Sequence, residues 1–187
     1  MKKLLQFFAI AVALLPMVAR AHGPTRQSVK ETVLINASPE KVWAVLGDFT
    51  AIDKWHPAVA SVEMLSDKQR KLTLKGEGHP TITEELQKLD NEKMMMIYKI
   101  EDMSVIKTIT YNSKDTPYYT LPVNNYKSWL SVKAKDGGSE VTWKGKFYRS
   151  FMDNPPVPEG QSDEDAVNAV KGVYTSGLNN LKTMLEK

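Results

Sequence analysis

The stretch SDEDAVNAVKGVYTSGLNNLKTML, Ser162 to Leu185, reads as one long amphipathic helix. Ser162 is placed to cap it, and Asp163, Glu164 and Asp165 set acids at the positive end of its dipole. Val167, Val170, Val173, Tyr174, Gly177, Leu178, Leu181, Met184 and Leu185 then recur at spacings of three and four, a broad apolar face on about six turns. The proline-rich run Asn154 to Gly160 just before it cannot be helical. A face of that breadth has to be buried, and the only matching surface in the chain is the apolar side of a sheet.

That sheet is read from the segment between Ala58 and Arg149, where apolar residues alternate with polar ones between turn signals. Candidate strands are 59–65, 70–76, 81–89, 93–101, 124–135 and 140–149, with Asp136-Gly137-Gly138 as the clearest hairpin turn. The stretch 103–121 reads as strand continuation plus a loop around Asp115-Thr116-Pro117. Upstream, Val29 to Ile35 is a strand. Ser38-Pro39-Glu40 then starts a helix with apolar Val42, Trp43 and Leu46, Gly47-Asp48 breaks it, and a second short helix ends near Trp55-His56-Pro57. The expected fold is α+β, a curved antiparallel sheet of about seven strands around a long C-terminal helix, with two short helices after strand 1.

The 187 residues carry 25 Lys plus Arg against 22 Asp plus Glu. The excess sits in residues 1–21, which hold Lys2, Lys3 and Arg20 and no acid, so 22 of each sign remain beyond them. Lys2 and Lys3, the apolar run Leu4 to Val18 and the small-x-small site Ala19-Arg20-Ala21 have the form of an export signal cleaved after Ala21. The run is too short for a comfortable membrane span, which takes about 20 apolar residues. Residues 22–187 are then expected to be one periplasmic domain, free of the membrane after cleavage, with no net charge to attract nucleic acid. There is no cysteine, which excludes disulfides and thiolate chemistry.

Alternation also sorts the polar residues. Glu84 lies with Ile82 and Leu86, Arg70 with Leu72 and Leu74, and Tyr126 and Ser128 with Leu130 and Val132. A carboxylate on an apolar face is costly unless protonated or paired. Arg70, Glu84, Tyr126 and Ser128 therefore either mark a small-molecule cavity or pair structurally. Trp55, His56 and His79, with Val170 and Tyr174 from the long helix, complete the candidate lining. On the opposite face Lys127, Trp129 and Lys133 alternate outward, as do Lys144, Lys146 and Tyr148, with Trp129 expected near Lys146. That face either docks an acidic partner protein or is a solvated face whose lysines discourage aggregation. The three histidines, His22, His56 and His79, are too separated for a metal motif, and no nucleophile elbow or phosphate loop is present. No cofactor or metal is expected. His56, Glu84 and Tyr126 are the candidates for a general base if the cavity is catalytic.

The order of elements, with Ala37-Ser38-Pro39-Glu40-Lys41-Val42-Trp43 followed by Asp48-Phe49, resembles the helix-grip superfamily (START-like, Bet v 1-like, SRPBCC) in its polyketide cyclase/dehydrase branch. Within it, three runs look like the periplasmic MxaD group of methanol-oxidising bacteria. They are Val42-Trp43-Ala44-Val45-Leu46-Gly47-Asp48-Phe49, Trp55-His56-Pro57-Ala58-Val59, and Val141-Thr142-Trp143-Lys144-Gly145 with Phe147-Tyr148-Arg149. That resemblance implies a non-enzymatic accessory role in electron transfer from methanol dehydrogenase to its cytochrome, and a small apolar ligand. The alternatives are an exported cyclase/dehydratase-like enzyme or a lipid or metabolite carrier. Thr83-Glu84-Glu85-Leu86 and Asn125-Tyr126-Lys127-Ser128 are similar to pocket strands of the plant abscisic acid receptors, whose gate corresponds to Gly76 to Pro80. Gly145 stands where those receptors carry a further pocket glutamate.

Overall fold

β1 (Gln27–Ile35) leads into α1 (Pro39–Leu46), which begins as its sequence demands. The Ser38 hydroxyl accepts from the Lys41 backbone N–H at 3.3 Å, and Val42, Trp43 and Leu46 form the buried face. The structure, a computed structural model, describes residues 23–187, so the expected export signal and His22 lie outside the described residues. The second short helix is a single 3-10 turn, Ile52–Lys54. Asp48 holds the chain in a turn by accepting from the Thr50 backbone N–H (2.9 Å) and hydroxyl (2.7 Å), and Pro57 follows soon after. Too few residues remain between them for an α-helix.

The sheet adds β2 (Val59–Ser66), β3 (Gln69–Leu74), β4 (Thr81–Asp90), β5 (Met95–Met103), β8 (Val123–Lys135) and β9 (Gly138–Arg149) to β1. Seven antiparallel strands run in the order β1-β9-β8-β5-β4-β3-β2. Between β5 and β8 the chain leaves the sheet as a separate hairpin, β6 (Val105–Tyr111) and β7 (Lys114–Tyr119). The sequence expectation of a loop here gives way to a strand because Pro117 sits in a two-stranded arm, where a missing N–H is tolerated. Gln161 ties the arm down, donating from Nε2 to the Pro117 carbonyl at 3.2 Å, and the Tyr118 hydroxyl donates to the Glu159 carbonyl at 2.9 Å.

The last hairpin turns on Asp136 and Gly137, both at positive φ (51° and 79°), and not on Gly137-Gly138. This two-residue turn shifts the register from the one expected: Trp129 faces Lys144, and Lys127 faces Lys146. The inward and outward sets are unchanged, since a shift of two residues keeps every side chain on its face.

α2 (Asp163–Leu185) opens with a capping box, the Asp165 backbone N–H donating to Ser162 Oγ at 3.1 Å and the Ser162 N–H to Asp165 Oδ2 at 2.9 Å. It lies on the inner face of the sheet against β1 and β9, burying Ala166, Val170, Tyr174, Gly177, Leu178, Leu181 and Leu185. Met184, expected on this face, is 37% exposed at the helix end. Two bonds fasten the 3-10 segment to the helix: Asn180 Nδ2 donates to the Trp55 carbonyl (2.8 Å), and His56 Nε2 meets the Val173 carbonyl (3.0 Å).

The close approach at Gly177 makes this packing testable. A Cβ there would lie 2.5 Å from His56 Cδ2 and 3.0 Å from the Trp143 ring, whereas one at Gly172 would meet nothing within 4 Å. Gly172→Ala should stabilise the protein by about 1 kcal/mol through helix propensity. Gly177→Ala should destabilise it by about 1–3 kcal/mol despite the same gain. Urea unfolding of both variants checks this, and equal stabilities would mean that α2 rides higher on the sheet.

Candidate functional site: a cavity beside the long helix

Because α2 lies over β1 and β9, the other half of the sheet is only partly covered. A cavity of about 60 Å³ occupies the space. At 10–15 Å³ for each water, that is room for about four to six waters or a ligand of similar bulk. Its walls are largely apolar: Ile52 from the 3-10 turn, Val59, Leu72, Ile82 and Ile100 from β2, β3, β4 and β5, and Val173 from α2. Ala58, Leu74, Leu121 and Val173 remain partly exposed and mark its mouth.

The polar groups gather at one pole. Glu84 and Arg70 are directly opposed on β4 and β3, 5% and 2% exposed. Arg70 donates from Nε to Glu84 Oε2 at 2.8 Å, and a second nitrogen lies 2.6 Å from the same oxygen. Its third nitrogen donates to the Phe49 carbonyl, and its guanidinium stacks 4.0 Å above the Phe49 ring. Every nitrogen of Arg70 is thus engaged, and Arg70 stands behind Glu84, outside the cavity wall. Glu84 lines the cavity, and among the described residues no donor reaches its Oε1. Burial raises the Glu84 carboxyl above the ordinary carboxylate value, with Arg70 pulling the other way.

Beside it runs a buried hydroxyl chain. The Tyr126 and Tyr174 hydroxyls are 2.5 Å apart, Tyr174 lies 3.3 Å from Ser128 Oγ, and Ser128 donates to the Lys144 carbonyl at 3.2 Å. Trp143 Nε1 donates to both Ser128 Oγ (2.9 Å) and the Tyr98 hydroxyl (3.0 Å). One proton ordering satisfies the chain: Tyr126 donates to Tyr174, Tyr174 to Ser128, and Ser128 to the backbone. Burial holds the three phenols above their ordinary values, so all stay protonated. Gly145 makes the arrangement possible, because a Cβ there would collide with the Tyr174 hydroxyl. A pocket glutamate at this position has no room.

Of the residues expected from sequence, His56, Glu84 and Tyr126 line the cavity. Arg70, Ser128 and Tyr174 stand one layer behind. Trp55 packs edge-on to Trp143 at 5.5 Å, and Val170 is core while Val173, one turn on, reaches the wall. His79 is exposed on the loop between β3 and β4, away from the lining. Tyr98 and Trp143 were not anticipated. Both lie on inward positions of strands that alternation had already identified, and their polar tips were the available signal.

His56 is 3% exposed with both ring nitrogens engaged. Nδ1 accepts from the Ala58 backbone N–H at 3.2 Å, which leaves the proton on Nε2 to be donated to the Val173 carbonyl. This neutral ring has no free lone pair to offer a substrate.

A sheet holding one long helix over an inner cavity with a few converging polar groups defines a helix-grip protein of the Bet v 1-like, SRPBCC superfamily. The chain belongs to the family described as polyketide cyclase/dehydrase and lipid transport, whose pattern it matches over residues 26–186. Its fold is similar to the protein XoxI from Bacillus cereus (26% identity, TM-score 0.66, covering 84% of this chain and 94% of that one). It is also similar to the ZhuI aromatase/cyclase from Streptomyces sp. R1128 (17%, 0.59, 87% and 94%) and to Ara h 8.0201 (15%, 0.62, 86% and 98%). No curated protein matches the chain. Among the described residues no helix is long and apolar enough to cross a membrane, and no cluster of three potential metal ligands occurs.

Burial pushes His56 below its ordinary value of about 6.5, although the Val173 carbonyl acts in the opposite sense. The unfolded chain therefore takes up this proton first, and stability falls as the pH drops below about 6.5. The Tm of His56→Gln should decline less between pH 7 and pH 5.5 than that of the wild type. Equal declines would mean that the folded protein accepts the proton at His56.

Proposed function

We propose that this chain is an exported, non-enzymatic binding protein of the MxaD type, taking a small neutral ligand in its cavity and assisting methanol oxidation. The observation that carries the binding reading is Glu84, which lines the cavity with Oε2 held by Arg70 and Oε1 met by no donor among the described residues. An anionic ligand would meet this oxygen and be repelled. A cation would have to lose its hydration in an apolar space where Arg70 already balances the carboxylate. A neutral molecule with a hydroxyl or N–H group satisfies the acceptor at least cost. The small volume disfavours an acyl chain or a polycyclic ligand.

The accessory role rests on the three sequence runs shared with the MxaD group and on the export signal in residues 1–21. Methanol dehydrogenase and its cytochrome are the proposed partners, and export places the protein with them. Adding the purified mature protein to these two should raise the rate of cytochrome reduction. An unchanged rate over a wide range of its concentration would remove this role.

The same buried carboxyl favours a second reading, a cyclase/dehydratase-like enzyme with Glu84 as general acid or base. Turnover of a small carbonyl substrate that disappears in Glu84→Gln, with Tm preserved, would select the enzyme. Glu84→Gln that merely changes ligand affinity several-fold supports binding.

A further inference from the structure

The outward face of the sheet holds a lysine cluster that the cavity does not need. Lys30 on β1 directly faces Lys144 on β9, and Lys146 on β9 faces Lys127 on β8, which in turn faces Lys99 on β5. Lys99 is neutralised by Glu85 at 3.3 Å and by Glu101. Among the described residues no carboxylate lies within 4.0 Å of Lys30, Lys127, Lys144 or Lys146. Like charges set directly across a ladder oppose folding. The chain accepts two such pairs on adjacent strands, in a region where residues 22–187 have equal numbers of acids and bases.

Beside the cluster lies Trp129, half-exposed, between Lys144 on β9 and Ile97 on β5 and with Lys127 Nζ 5.7 Å from its ring. Its indole N–H makes no hydrogen bond among the described residues. An aromatic anchor with a free donor, flanked by unpaired cations, is the composition of a docking hot spot.

We infer that this face, Lys30, Lys127, Lys144 and Lys146 beside Trp129, docks an acidic protein surface. Its geometry favours a protein over a lipid bilayer. Cross-strand pairing sets the Cα atoms of facing lysines about 5 Å apart, and their flexible stems let the ammonium groups reach individual carboxylates on a folded partner. Trp129 lies on β8, third of the seven strands, and is only half-exposed. Of the exposed apolar side chains that a bilayer would absorb, Leu34 shares the outward face of β1 with Lys30 but sits opposite Glu140, while Met64 and Leu65 on β2 and Val105 and Ile106 on the hairpin arm lie away from the lysines. The inference does not depend on what occupies the cavity.

The test uses the mature protein and poly-L-glutamate as a protein-like array of carboxylates, with phosphatidylcholine/phosphatidylglycerol vesicles and duplex DNA as competing probes. Wild type should bind poly-L-glutamate with an affinity that falls as salt rises. The double variant Lys127→Glu/Lys144→Glu puts one carboxylate opposite Lys146 and another opposite Lys30. It should lose about tenfold or more in affinity, while its Tm equals or exceeds that of the wild type. Binding that survives the double substitution, or that ignores salt, would overturn the proposal. Vesicle or DNA binding without poly-L-glutamate binding would assign the face to those partners instead. A lowered Tm would show that the lysines support the sheet, and would equally contradict the account.

Discussion

The stack of Tyr174 on Trp143, ring centres 4.3 Å apart and planes within 12°, sets how deep the long helix sits in its sheet. Burying two large aromatic side chains face to face is worth several kcal/mol of area, with about 1 kcal/mol more from the stacking itself. The pair is also polar at its rim, and each polar tip finds a partner: Trp143 reaches Ser128 and Tyr98, and Tyr174 reaches Tyr126 and Ser128. Gly145 supplies the space below the phenol, and Gly177 lets the helix approach His56. The cavity is what remains of the inner face once the helix has been drawn down to this depth, which is why it is small.

The Arg70–Glu84 pair solves a second problem, the presence of charge in that interior. A buried ion pair of this kind contributes little net stability compared with apolar residues of the same volume. It does present one oriented oxygen to an otherwise greasy space. With each nitrogen of Arg70 engaged by Glu84 or Phe49 and its plane over the Phe49 ring, the pair acts as a fixed acceptor and carries no net charge toward the cavity. Inside, neutrality with one directed hydrogen-bonding group; outside, an excess of unpaired lysines. These two faces of one sheet present different chemistry.

Much of this could be read in the sequence for a physical reason: period-two alternation assigns faces without any knowledge of partners. It put Arg70, Glu84, Tyr126 and Ser128 inside and the lysines outside. The helix from Ser162 was equally plain, because cap, acids and apolar spacing all agreed. What alternation does not carry is depth. Leu72, Ile82 and Ile100 look like any core residues, and only the lateral placement of α2 turns them into cavity walls. Register was ambiguous because Asp136-Gly137 and Gly137-Gly138 are both good tight turns, and the hairpin arm was hidden by Pro117. His79 belongs to the candidate lining by sequence, yet the loop between β3 and β4 holds it in solvent.

The most direct measurement of the central claim is a methyl NMR titration of the mature protein with isobutanol and, separately, with isobutyrate, which differ chiefly in charge. The account predicts saturable shifts at the methyls of Ile82, Ile100 and Val173 with the alcohol and none with the carboxylate. Preference for the carboxylate, or no saturable shift with either, would contradict a cavity built around the unpaired oxygen of Glu84.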